Sequence, residues 1–306
     1  MVQVSFYIIL GVLGVLLSLG VILFNLTFML SVGKTTSLQQ ITYVLLLCFL
    51  SLVDFIKGIV IPFFVYELFQ LSAGGSLPCT YVRMVTTADE FMNTLSFFHI
   101  ALITTERYIA TFHTYRHIYL FSVSRVLSAV MIVWLIACTL TIMPFIANIP
   151  RKIFVFRVKL PVFAFTIIIQ ILMYCRMWKE TVRIRRQIRD QFVAVHATNP
   201  TDQNKAGRTA LVIFLALTAC YVPQFVMVYL KDYLDIIPVG NHLMFCSSAC
   251  TILFFDSFIN PITYYILNQK LRESMLKVLK DVFKLEQGDR QLKQVSSTSV
   301  EVESVP

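Results

Sequence analysis

Several charged and hydrogen-bonding side chains stand inside long apolar runs, and these are the residues that could do chemistry. Asp54 and Lys57 interrupt one run, Asp89, Glu90 and Glu106-Arg107-Tyr108 another. Asp256, Ser257, Asn260 and Pro261 lie together in FFDSFINPITYYILNQKLRESM (254–275). Such groups are expensive in apolar surroundings unless partnered or functional. A guanidinium beside a carboxylate, as at Glu106-Arg107, can pair with it in one state and swing to another acceptor in a second. The alternative is an arginine at the bilayer edge, snorkelling to lipid phosphates. Lys57 stands one turn from Asp54, at a spacing that allows an ion pair. Asp54, Asp256 and Lys57 together leave about −1, which one monovalent cation or one shared proton would neutralise. Pro223 and Pro261 each remove a backbone hydrogen bond within a run and predict kinks. Zinc hydrolysis inside a membrane would need several histidines there. Of His99, His113, His117, His196 and His242 only His99 is clearly within a run, so no enzyme is expected.

The elements that hold these residues follow from composition. The 306-residue chain is 57% hydrophobic and 14% charged, well away from the usual soluble balance. Stretches poor in charge, judged against the roughly 20 apolar residues that cross a bilayer, predict seven spans: 6–32, 40–66, 80–112, 124–148, 153–185, 206–231 and 238–267. The expected fold is an all-α integral membrane protein, a seven-transmembrane helix bundle with a short C-terminal amphipathic helix. Leu267, Leu271, Met275 and Val278/Leu279 recur at helical spacing among lysines and arginines. They predict an interfacial helix over 269–285, followed by a disordered cytoplasmic tail over 286–306. With no basic n-region and a long apolar run, residues 1–32 read as an uncleaved first span. Nineteen of the 26 lysines and arginines fall in the segments after spans one, three, five and seven, and six on the opposite face. That bias places the C-terminus in the cytoplasm and the N-terminus outside. The net charge of +9 is thus a matter of topology, and no nucleic-acid partner is expected. Without internal repeats, a transporter is disfavoured.

Read in order, the polar positions match one family. They are Asn25 in span one, Asp54 in LSLVDF, TTERYIATF ending span three, Trp134 and Pro144 in span four, ACYVP in span six and NPITY in span seven. Over roughly residues 6–285 the chain resembles a rhodopsin-like (class A) G protein-coupled receptor. The resemblance implies a plasma-membrane receptor that transduces an extracellular, small-molecule signal to a heterotrimeric G protein by outward movement of span six. An orphan or chemosensory receptor with a non-amine ligand is the alternative within the same fold. Glu106, Arg107, Tyr108, Tyr174, Pro223, Asn260, Pro261 and Tyr264 fall on the activation positions. Asp54, Ser96, Asp256, Ser257 and Asn260 fall on those lining a sodium and water pocket, so a structural sodium ion is the one cofactor to consider. A purely structural Lys57–Asp54 ion pair without metal is the alternative. Serines and threonines at 296–299 are candidate kinase sites, with arrestin and a receptor kinase as implied partners beside the lipid bilayer.

On the ligand side the resemblance points to Asp89, Glu90, Tyr221, Cys250 and Phe254. Asp89 holds the place of the acid that pairs with amine ligands, but a salt bridge to Lys57 would serve it equally. The chain also departs from the pattern. Tyr221 replaces a tryptophan, and Asp256 an uncharged residue. Phe254 stands where a retinal-binding lysine would be, which excludes that attachment. At the expected tether of Arg107 on span six stands Gln203, beside Asp202, so elevated basal signalling is expected. The outer loop ANIPRKIFVFRVK (147–159) has no cysteine to pair with Cys79. Its four basic residues could instead steer an anionic ligand.

Overall fold

The computed structural model describes residues 2–194, 226 and 239–281. These fold into α1 (Val2–Gly33), α2 (Thr36–Gln39), α3 (Thr42–Ser72), α4 (Cys79–Phe112), α5 (Thr114–Leu120), α6 (Val123–Ile146) and α7 (Arg151–Phe154). A π-helical turn (Val155–Lys159), α8 (Leu160–Ala194), α9 (Val239–Leu267) and α10 (Gln269–Asp281) complete the set. Among the described residues there is no strand. The span expected at 206–231 lies outside the described residues except for Val226, and so do Tyr221, Pro223, Asp202, Gln203 and the tail.

Each long helix has a buried stripe at helical spacing. On α1 it runs Leu17, Val21, Asn25, Phe28 and Val32, while Ile9, Leu16, Leu19 and Leu23 point outward, as a lipid-facing flank should. Gly58 of α3 lets α1 approach closely: a Cβ there would lie 2.8 Å from Ile22 Cγ1 and 3.0 Å from Val21 Cγ1. Helices in lipid gain little from hydrophobicity toward one another, so small residues at the contact and dispersion hold them. The Ser18 hydroxyl donates to the Gly58 carbonyl at 2.8 Å across the same seam.

Helix α3 packs on α1, α4, α6 and α9, and α4 packs on α3, α6 and α8. Four described helices are long and apolar enough to cross a membrane on composition, and α4 is not among them. Of its charges, Glu106 is fully buried and Glu90 meets Arg151 and Lys159 from outside the helix, while Arg83 is exposed. The span expected at 153–185 does not run as one α-helix. Pro161, which has no N–H to donate, sits in the first turn of α8, and the π-helical turn directly precedes it. Past α9 the chain turns by 104° into α10. Leu271, Met275 and Val278 of α10 are buried against the bundle, while Leu279 faces outward. Ser274 Oγ donates to the Ser31 carbonyl at 3.0 Å and fixes α10 to the end of α1.

Candidate functional site

Asp54 is the hub of a polar centre between α3, α4 and α9. Its Oδ1 accepts from Ser257 Oγ at 2.7 Å and Ser96 Oγ at 3.2 Å, and its Oδ2 from Asn260 Nδ2 at 2.9 Å. Asn25 of α1 joins by donating to the Ser257 carbonyl at 3.2 Å. All five residues are fully buried. Helical spacing explains the α9 pair: Ser257 and Asn260 are three apart and share a face, and Pro261 follows them within the helix.

Lys57 does not pair with Asp54, nor with Asp89; among the described residues no ion pair reaches it. Both oxygens of Asp54 are already taken by donors. Lys57 Nζ donates instead to the Leu253 carbonyl at 3.0 Å and lies 5.8 Å from the Phe254 ring centroid.

Asp256 is fully buried and neither carboxylate oxygen has a hydrogen-bond partner. Asn25 Oδ1 and Asn260 Oδ1 are likewise buried acceptors without donors. A concentration of hard oxygen acceptors short of donors suits a small monovalent cation. The residues present fit a sodium ion, which Asp54 would hold with oxygens of Ser96, Ser257, Asn260 and Asp256. Among the described residues no three of His, Cys, Asp and Glu converge as a transition metal would require.

At the far end of α4, Glu106 is completely buried and grips Arg107 through Nε and a terminal nitrogen. Sequence reasoning missed its two other partners: His117 of α5, with Nε2 at 2.7 Å, and Thr42, with Oγ1 at 3.2 Å. It missed also that the Arg107 guanidinium lies over the Tyr43 ring, 4.4 Å from the centroid. Asn268 Nδ2 donates to the Tyr43 hydroxyl at 3.0 Å, so the start of α10 is part of this assembly. No spacing rule links positions 106 and 117; a histidine in a short basic loop was the only signal. The Tyr174 hydroxyl and Thr104 Oγ1 share a hydrogen bond of 3.0 Å between α8 and α4. Tyr108 packs on Phe112 at 4.8 Å and its hydroxyl accepts from Arg176 at 3.3 Å. Tyr264 is buried beside Phe28, 4.9 Å between ring centroids, with no hydrogen-bond partner for its hydroxyl.

Toward the opposite end, the adjacent acids Asp89 and Glu90 have separate fates. Glu90 is bound by Arg151 and Lys159. Asp89 accepts only from Asn93 Nδ2, at 2.9 Å, and its second oxygen is buried and unpartnered. Phe254 and Cys250 belong to an apolar cluster with Leu17, Val21, Ile61 and Val65. Among the described residues the cysteines at 48, 79, 138 and 175 form no disulfide.

The family described as "7 transmembrane receptor (rhodopsin family)" matches residues 24–264, from the residue before Asn25 to Tyr264. No curated protein matches the chain closely enough to narrow this further. The match covers most of the chain, including Asp54, Glu90 and Glu106, and the chain belongs to the rhodopsin family of seven-transmembrane receptors.

Proposed function

We propose that the protein passes an extracellular small-molecule signal to a heterotrimeric G protein by outward movement of the segment at 206–231. It is a receptor, not an enzyme, and a multi-pass membrane protein. On this reading it sits in the plasma membrane with its N-terminus outside. The observation that carries the reading is the Glu106–Arg107 pair, closed and stacked on Tyr43. A buried carboxylate that holds a guanidinium through two nitrogens is a strong but breakable contact. Releasing it frees Arg107 for a second acceptor, which gives the helix end two discrete arrangements. An agonist that favours the released arrangement shifts the population, and the opened cleft admits the G protein.

The sodium ion is part of the same reading: it would neutralise the excess charge of Asp54, Asp256 and Lys57. Arrestin and a receptor kinase acting on residues 296–299 complete the partner set. For the ligand, Asp89 is the specific site. Its buried, unpartnered oxygen favours a group that donates a hydrogen bond, such as an ammonium, while Glu90 is already occupied by two cations.

Two measurements test this. Cells expressing the chain without ligand, reporting cAMP and calcium, should signal above mock-transfected cells, because an uncharged Gln203 weakens the tether of Arg107. A screen of biogenic amines and small metabolites should then find an agonist whose response is lost in Asp89→Asn. An amine response of unchanged potency in that variant would remove the ammonium-pairing role.

A further inference from the structure

Glu90 joins the outer end of α4 to both ends of the segment that leads into α8. One of its oxygens accepts from Arg151, the first residue of α7, and the other from Lys159, the last residue of the π-helical turn. The π-helical winding does the aiming. Arg157 and Val158 face outward, while Lys159 is turned inward and is 9% exposed. Its Nζ lies 5.7 Å from the centroid of Phe163, which stacks on Phe97 of α4 at 4.2 Å. Between the two cations Phe154 is buried in the main apolar cluster.

No covalent bond makes this connection. Residues 147–160 contain no cysteine, and Cys79 at the start of α4 is exposed and unpaired. Residues 147–160 also carry four basic residues and no acid, so their charge must be met from elsewhere. Asp89 and Glu90 are the acids of α4 that face them, and only Glu90 is in contact. Removing its charge would leave Arg151 and Lys159 facing each other across the gap, repelling as well as released.

We propose that Glu90, Arg151 and Lys159 form an ionic strap that holds the outer loop on α4 in place of a covalent tie. Loss of the Glu90 charge lifts the loop and uncovers Phe154. The strap rests on the proposed orientation, with this end of the bundle outside the cell. By engaging Glu90 it also leaves Asp89 as the one acid of this pair still able to meet a ligand.

The test is the labelling rate of Phe154→Cys by a membrane-impermeant maleimide on intact cells, in a Cys79→Ser background. Ala147→Cys, at an exposed position, serves as control. Ala147→Cys should label rapidly in every background and Phe154→Cys slowly. Glu90→Gln should speed labelling of Phe154→Cys on the order of tenfold, the worth of a charge-assisted contact. The exchange Glu90→Lys with Arg151→Glu and Lys159→Glu should restore the slow rate. An unchanged rate in Glu90→Gln would overturn the strap and leave apolar packing of Phe154 as the hold. Should Glu90→Gln fail to reach the membrane, Arg151→Gln carries the test, since that side chain is 47% exposed. A several-fold faster rate supports the strap and an unchanged one overturns it. If Ala147→Cys labels only after permeabilisation, the orientation is wrong, and the same comparison of rates is made in permeabilised cells.

Discussion

Asp54 accepts three hydrogen bonds, whereas Asp256, beside Ser257 on α9, accepts none. Their neutral variants should therefore change stability in opposite directions. Asp54→Asn leaves buried donors without an acceptor and should cost about 1–3 kcal/mol. In sodium-free buffer, Asp256→Asn removes a buried charge that no described donor meets and should stabilise the receptor. Thermal inactivation of the detergent-solubilised variants measures both, and shifts of the same sign would refute the assignment. If sodium occupies this centre, replacing choline chloride with sodium chloride should raise the melting temperature of the wild type. It should do so far less in Asp54→Asn. An equal rise in both would exclude Asp54 as a ligand. The sequence marks Asp54, Ser257 and Asn260 as costly in a span, but that they share one centre with Ser96 was expected only from the family resemblance. The partner of Lys57 was not readable in the sequence. Its reach to the Leu253 carbonyl depends on Asp54 being saturated by three donors from two other helices, which no spacing along one chain reveals. Among the described residues no donor meets either oxygen of Asp256.

At the scale of elements, the closeness of α1 and α3 depends on Gly58. Gly58→Ala would place a methyl group within 3.0 Å of both Ile22 and Val21. Such overpacking should cost about 1–3 kcal/mol and lower the amount of receptor at the cell surface, read by surface labelling. Full surface expression with unchanged thermal inactivation would show that the two helices can separate freely. Helix α10 should behave as a surface element: Met275→Glu puts a charge on its buried face and should detach it, whereas Leu279→Glu, on the outward face, should have little effect. Protection of α10 in hydrogen exchange distinguishes the two. Among the described residues, intervals poor in charge fall on α1, α3, α6 and α9, because a charge-free stretch of that length has few other uses. They gave no sign of the π-helical turn at 155–159, whose Lys159 contacts Glu90 and Phe163 on other elements. The span expected at 80–112 lies on α4 (Cys79–Phe112) although charges interrupt it.

Over the whole molecule, α4 is the common member of three assemblies. It carries Glu90 at the outer strap, Ser96 at the polar centre, and Thr104, Glu106 and Arg107 at the inner end. A small shift of this one buried helix would disturb all three, which is how a signal at one end can bias a contact at the other. His117 adds a hold from α5 on Glu106, so His117→Ala should raise basal signalling less than Glu106→Gln does, in the same cAMP and calcium reporters. The order of those two effects would be reversed if α5, rather than the arginine, were the restraint. The most direct test of the central claim is guanine-nucleotide exchange on heterotrimeric G protein, in membranes holding wild type, Glu106→Gln or Arg107→Ala at matched receptor density. The account predicts ligand-free exchange several-fold above wild type for Glu106→Gln and at or below wild type for Arg107→Ala; equal exchange in all three would contradict it.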